Sequence, residues 1–184
     1  RAHALDSRTS IDLAEYLGDY PNADVGAADI HTTQMYRGRR VRAHNQRPLP
    51  RRVVLDQNLA RLVGYYISEG SSQGTNRWGN PTGSNFAFHR DEREYIDDVE
   101  HLIETCFHLP CTERDGNGKC RLVINNSGPL QSVLAKWCGQ GAAHKHLPDW
   151  ASASLDIKRA LLCGMFRGDG SIVGGHAGVP AIIK

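Results

Sequence analysis

No run of apolar residues in this 184-residue chain approaches the roughly 18 that a membrane-spanning helix needs, and residues near the N-terminus lack the apolar core of a secretion signal. A bilayer is therefore not expected as a partner, and the chain reads as an intracellular protein of the cytoplasm, or of the nucleus in a eukaryote. Cysteine is sparse: there are five, an odd number, and none forms a CxxC pair. Free thiols are expected rather than a disulfide framework. For the same reason His101, Cys106, His108, Cys111 and Cys120 make no zinc pattern, and Cys106 falls on an apolar helix stripe. The GDGS of residues 168–171 lacks the Lys-Ser/Thr of a phosphate loop. Net charge is also small, +2 at pH 7 with a pI near 8.4, which neither demands nor excludes a nucleic-acid partner.

Acidic residues are missing where they would matter most. Residues 37–52 contain none, yet carry Arg37, Arg39, Arg40, Arg42, Arg47, Arg51 and Arg52, whereas residues 1–30 hold six acids and two arginines. Gly38, Pro48 and Pro50 oppose a helix there, so an extended or hairpin arm is expected. Its functional reading is contact with DNA phosphates, each neutralised phosphate releasing counterions. The alternative is a solvated linker. Upstream, Ser10 as N-cap with Ile11, Leu13, Ala14 and Leu17 predicts a short amphipathic helix.

What the chain does have is a stretch that occurs twice. Residues 55–71 read LDQNLARLVGYYISEGS and residues 155–171 read LDIKRALLCGMFRGDGS, identical at seven of seventeen positions. An acid is kept at the same place, as Glu69 and Asp169. This is an internal repeat with an offset of one hundred residues. Each copy reads as a helix, with Asp56 and Asp156 as N-caps and with Gly70 and Gly170 where a helix ends in a left-handed residue. Small residues recur every fourth position, Ala60, Gly64 and Ser68 in one copy and Ala160, Gly164 and Gly168 in the other. That spacing lines one helix face. Glycine inside a helix costs about 1 kcal/mol against alanine, so a face of this kind calls for a compensating reason, and close approach of the two helices supplies it. If the faces pack, a pseudo-twofold axis runs between them, and Glu69 and Asp169 meet at one end. Two carboxylates there, with the main-chain carbonyls of Ser68 and Gly168, form a site for a hard cation. An acid at a helix C-terminus opposes the helix dipole by about 0.3–1 kcal/mol, a cost that both copies accept.

Between the copies the pattern alternates. Asn85 to His89 predicts a strand with Phe86 and Phe88 inward and Asn85, Ala87 and His89 outward, and the turn falls within residues 79–83. Residues 91–107 carry an apolar stripe at helical spacing. A strand pair follows at 111–115 and 119–125 around Asp115-Gly116-Asn117-Gly118. With Leu122 and Ile124 placed inward, Lys119, Arg121, Val123 and Asn125 share the outward face. Residues 128–138 predict a further helix. The order from residue 55 is therefore αββαββα, an α+β fold whose antiparallel sheet has helices on one face and a free face fit to lie in a DNA groove.

The stretches LARLVGYYISEG and ALLCGMFRGDG resemble the signature helices of the LAGLIDADG homing endonucleases, especially those embedded in inteins, and HKHLPD at 144–149 is similar to the lysine block that precedes the second helix. The resemblance implies a site-specific endonuclease making a staggered cut in double-stranded DNA with Mg²⁺ or Mn²⁺. Glu69 and Asp169 would be its catalytic acids and metal ligands, and Lys145 its positive charge near the site. DNA contacts would come from Arg37, Arg39, Arg40, Arg42, Arg51, Arg52, Asn85, His89, Lys119, Arg121 and Asn125. A monomer with internal pseudo-symmetry is implied, joined to a host protein in cis if it is an intein. Residues 1–50 then form an N-terminal arm, a splicing-domain remnant or a recognition insert, and 51–184 the endonuclease core, with the first repeat at 55–138 and the second from 155. The second repeat reads as truncated, because a glycine-rich stretch stands where a second sheet should follow. His44-Asn45 resembles the end of an intein, but Gln46 follows it and the pair is upstream of the repeat. A DNA-binding regulator without cleavage, or a splicing element whose nuclease has decayed, are the alternatives.

Overall fold

Asp56 begins the first repeat helix as its spacing requires: its side chain accepts from the Leu59 N–H at 2.9 Å. The computed structural model describes residues 9–18, 20, 23–26, 28–42, 47–76, 79–169, 171–174 and 180–183. His44, Asn45 and Gly170 lie outside them. In chain order the elements are β1 (Ser10–Asp12), β2 (Ala23–Val25), β3 (Asp29–Tyr36), β4 (Arg39–Arg42), β5 (Leu49–Pro50), β6 (Arg52–Val54), α1 (Gln57–Glu69), β7 (Gly70–Ser72) and β8 (Ser84–His89). They continue with α2 (Arg93–Phe107), β9 (Thr112–Asp115), β10 (Cys120–Asn125), α3 (Gly128–Cys138), α4 (Leu155–Asp169), β11 (Ser171–Gly174) and β12 (Pro180–Ile183). The described residues thus make a mixed α+β protein with four α-helices and antiparallel sheets. Among the described residues no helix is long and apolar enough to cross a membrane.

From α1 to α3 the elements follow the expected order, and the strands align as β7-β8-β10-β9. Phe86, Phe88 and Val123 join α1, α2 and α3 in one apolar cluster, because strand residues that point to one face meet the apolar stripes of the helices. Leu13, Leu17, Ile30 and Leu49 belong to the same cluster, so packing is continuous across residue 50.

Three local expectations are corrected. Ser10 does not cap an amphipathic helix: Ser10–Asp12 is a strand paired with β6, with Ile11 opposite Val53, and only Leu13–Tyr16 coils, as a 3₁₀ turn capped by Asp12. The strand pairing and the burial of Leu13 and Leu17 outweigh helical spacing in so short a segment. Gly70 is not left-handed, its φ being −75°. Glycine is needed there for space, since a Cβ would lie 2.4 Å from the Tyr66 ring. Asp156 sits inside the first turn of α4, and the hydroxyl of Ser154 caps that helix by accepting from the Ile157 N–H at 3.2 Å.

The arginine-rich stretch does form a hairpin. β3 and β4 pair antiparallel around Arg37 and Gly38, whose φ values of 49° and 76° suit a tight two-residue turn. After α4, β11 pairs with β12 as β7 pairs with β8 after α1.

Candidate active site

The small faces of α1 and α4 do meet, and no other pair of elements packs as extensively. A Cβ on Gly64 would lie 2.2 Å from the Leu161 carbonyl oxygen, and one on Gly164 would lie 2.2 Å from the Arg61 carbonyl oxygen. The contacts are reciprocal, residue 64 to 161 and 164 to 61, as a pseudo-twofold axis demands. One turn further on, a Cβ on Gly168 would lie 2.1 Å from Ser68 Oγ and 2.9 Å from Glu69 Cγ. The C-terminal ends of both helices are therefore in van der Waals contact where each copy carries its acid.

At that end α1 is closed by a lysine. Lys145 Nζ donates to the carbonyls of Tyr66 and Gly70, each at 2.5 Å, and lies 5.0 Å from the centre of the Tyr66 ring. A cation on the last carbonyls of a helix is favoured by the helix dipole. It also fixes positive charge beside Glu69, which stands between those two residues. Tyr66 is in turn held by Gln131 Nε2, which donates to its hydroxyl at 2.9 Å inside the core. Carboxylate and carbonyl oxygens are the ligand type that a hard cation takes, but the Tyr66 and Gly70 carbonyls are already engaged by Lys145. The side chain of Asp169 lies outside the described residues; what the structure brings together is the two helix ends. Among the described residues no group of three or more His, Cys, Asp or Glu side chains converges.

The sheet is a second candidate surface, and here the register corrects the assignment of faces. Val123 stands opposite Phe86 and Arg121 opposite Phe88, so both point toward the helices. Leu122 and Ile124 stand opposite Ala87 and Asn85 and point to the other face, with Arg114 and Thr112 beside them on β9. Arg121 is engaged on the helix side by Glu113 and Asp115, both at 2.8 Å, and Glu113 also accepts from Arg93 at 2.8 Å. Those two arginines hold the Glu113 carboxyl down to about 2. Asn125 is 1% exposed; its Nδ2 donates to the Pro110 carbonyl at 2.9 Å and its Oδ1 accepts from the Ser127 N–H at 3.0 Å. Arg121 and Asn125 thus lie on the helix side of the sheet and not on its open face. Asn85 and His89 do lie on the open face, and Lys119 is exposed in the turn before β10.

In the arm, Arg37, Arg39 and Arg52 are exposed, whereas Arg51 Nε pairs with Asp12 at 3.0 Å and fastens β1 to the segment before β6. The side chains of Arg40 and Arg42 lie outside the described residues.

One further cluster, with no motif of its own, joins both repeat helices. Asp98 of α2 accepts from Arg61 of α1 at 2.8 Å through Oδ1, and through Oδ2 from the Tyr65 hydroxyl and Arg167 of α4, each at 3.0 Å. Arg167 also donates to Tyr65 Oη at 3.3 Å and lies 5.5 Å from the centre of the Tyr95 ring. Burial, with Asp98 as neighbour, pushes the Tyr65 phenol well above its ordinary value, so it remains a donor. A signal lies in the repeat itself: Arg61 stands against Leu161 and Ile67 against Arg167, two of the three places, with Leu59 against Arg159, where an apolar residue in one copy faces a charged one in the other.

No protein-family model matches the chain. Over 130 residues it is 39% identical to an iron-sulfur cluster assembly SufBD family protein of Mycobacterium tuberculosis, a match covering 68% of this chain and 15% of that one. Over 133 residues it is 32% identical to an uncharacterized protein of Methanocaldococcus jannaschii, covering 68% and 14%. Over 125 residues it is 27% identical to a DNA polymerase of Thermococcus kodakarensis, covering 65% and 7%. The chain spans 15% or less of the length of these curated relatives.

Proposed function

We propose that this chain is the endonuclease part of an intein, of the LAGLIDADG class and fold, and that it cuts double-stranded DNA at a specific site by metal-dependent phosphodiester hydrolysis. The observation that carries the reading is the reciprocal glycine contact between α1 and α4, which brings the ends bearing Glu69 and Asp169 together. An inactive helix pair has no need to end twice in an acid against its own dipole. The intein part is supported by the relatives. A stretch of similar length recurs inside a chain named as a SufBD family protein and one named as a DNA polymerase, and makes up a small share of each, the pattern that an inserted element leaves.

In this reading Glu69 and Asp169, with the carbonyls of Ser68 and Gly168, hold Mg²⁺ or Mn²⁺. Such an ion, when bound, supplies Lewis acidity and a more acidic water. Lys145, anchored on two carbonyls, contributes positive charge against the charge that develops on the phosphate. Asn85, His89 and Arg114 of the open sheet face, with Arg37, Arg39 and Arg52 of the arm, take the DNA.

The test is incubation of a randomised DNA library with the protein and Mg²⁺, with Ca²⁺ in place of Mg²⁺ as the control, beside a Glu69→Gln, Asp169→Asn double variant. Cuts at a fixed sequence that need Mg²⁺ and vanish in the variant are expected. Binding without cutting in every arm would replace the endonuclease with a DNA-binding regulator of the same architecture.

A further inference from the structure

The α1–α4 seam is lined by residues with little or no side chain, Gly64, Gly164 and Gly168 among them. Such a surface permits close approach but supplies few knobs to fix how far one helix slides or turns on the other. Something else has to set the register, and the Asp98 cluster, which bonds to side chains of both helices, is placed to do so. Its carboxylate is mostly buried, with 13% of the side chain exposed, and each of its oxygens is used: Oδ1 by Arg61, Oδ2 by Tyr65 and Arg167. Arg61 and Tyr65 flank Gly64 on α1. Arg167 adjoins Gly168 on α4, the residue in contact with Ser68 and Glu69.

From this geometry we infer that Asp98 is a positioning residue for the paired helix ends: it holds α1 and α4 in the one register at which Glu69 and Asp169 can serve a common cation. The inference rests on the endonuclease reading. Asp98 touches neither DNA nor metal in this scheme; it acts through Arg61, Tyr65 and Arg167. The cluster has no second copy, because residues 161 and 165 are Leu and Met and residue 67 is Ile. One anchor suffices, since a rigid pair of helices fixed at one margin is fixed at the other.

A shift of about 1 Å in a catalytic group costs on the order of 100-fold in rate, and loss of a residue that orients metal ligands costs about 10–100-fold in affinity. Asp98→Asn keeps shape and one acceptor but removes the charge that the arginines share; Asp98→Glu keeps the charge. Circular dichroism and thermal melting report folding, fluorescence anisotropy reports DNA affinity in Ca²⁺, single-turnover cleavage in Mg²⁺ reports chemistry, and Tb³⁺ luminescence without DNA reports ion affinity. For Asp98→Asn we expect a folded protein with DNA affinity within about twofold of the parent, Tb³⁺ affinity reduced about tenfold or more, and cleavage slowed to at least the same degree. Asp98→Glu recovers part of both. A lower melting temperature with Tb³⁺ affinity and cleavage unchanged would make Asp98 merely structural and overturn the inference alone. Failure of the unsubstituted chain both to bind Tb³⁺ and to cut DNA would overturn the endonuclease reading and this inference with it.

Discussion

Gly64 and Gly164 face each other across the α1–α4 seam, and a Cβ on either would come within 2.2 Å of a carbonyl oxygen of the opposite helix. In an isolated helix, glycine to alanine gains about 1 kcal/mol. Here the added methyl must push two backbones apart, and overpacking of this kind costs about 1–3 kcal/mol. Gly64→Ala and Gly164→Ala are each expected to be net destabilising, by similar amounts because their surroundings are reciprocal. Urea denaturation with a common m-value checks this; a stabilised Gly64→Ala protein would remove the seam from the fold.

Glu113 sets a pH dependence. Its carboxyl, ordinarily near 4.5, is held down to about 2 by Arg93 and Arg121. A group whose pKa is lower in the folded chain contributes stability that is fully present above its unfolded value and is lost as pH falls through the folded one. Glu113→Gln should therefore be less stable than the parent at pH 7, and the difference should shrink between about pH 4.5 and 2. Thermal melts over that range decide it.

Thiol reactivity reports the packing directly. Burial pushes the thiols of Cys106, Cys111 and Cys138 up to about 12, whereas Cys163 is exposed on α4. Thiolate is the reacting species. At neutral pH a maleimide should modify Cys163 quickly and reach Cys106, Cys111 and Cys138 only on unfolding, as peptide mass mapping would record.

The two sides of the sheet should separate in function. Asn125→Ala leaves the Pro110 carbonyl and the Ser127 N–H without their partner and should cost about 1–3 kcal/mol of stability. Arg114→Ala, on the open face, should leave stability within about 0.5 kcal/mol and weaken DNA binding, lowering its salt dependence by about one phosphate. Anisotropy titrations at several salt concentrations, paired with denaturation curves, distinguish the two effects.

How much of this could be read in advance varied with the kind of signal. The span 56–138 was legible nearly element by element, because caps such as Asp56 and turns such as Asp115-Gly116 mark boundaries locally, and the repeat itself pointed to the α1–α4 seam. The face of β10 was not. Leu122, Val123 and Ile124 are three apolar residues in a row, so alternation is missing just where it would choose between the two faces. Only pairing with Phe86 and Ala87 settles it. Ser10–Asp12 failed for a related reason: its partner, Arg52–Val54, is some forty residues away, and nothing local announces the pairing. The Asp98 cluster draws on three helices, and its trace in the repeat is two of three mismatched charges, the third being Arg159 against Leu59.

A self-complementary face has a cost during folding. Because α1 and α4 offer one another similar rows of small residues, the α1 of one molecule is a competing mate for the α1 of a second when chains refold at high concentration, although Ser68 would then stand where Gly168 leaves room for it. Ile67 would then occupy the place of Arg167, leaving Asp98 short of one of its two guanidinium partners. Asp98 thus adds its charge to the preference of α1 for an α4 over a second α1.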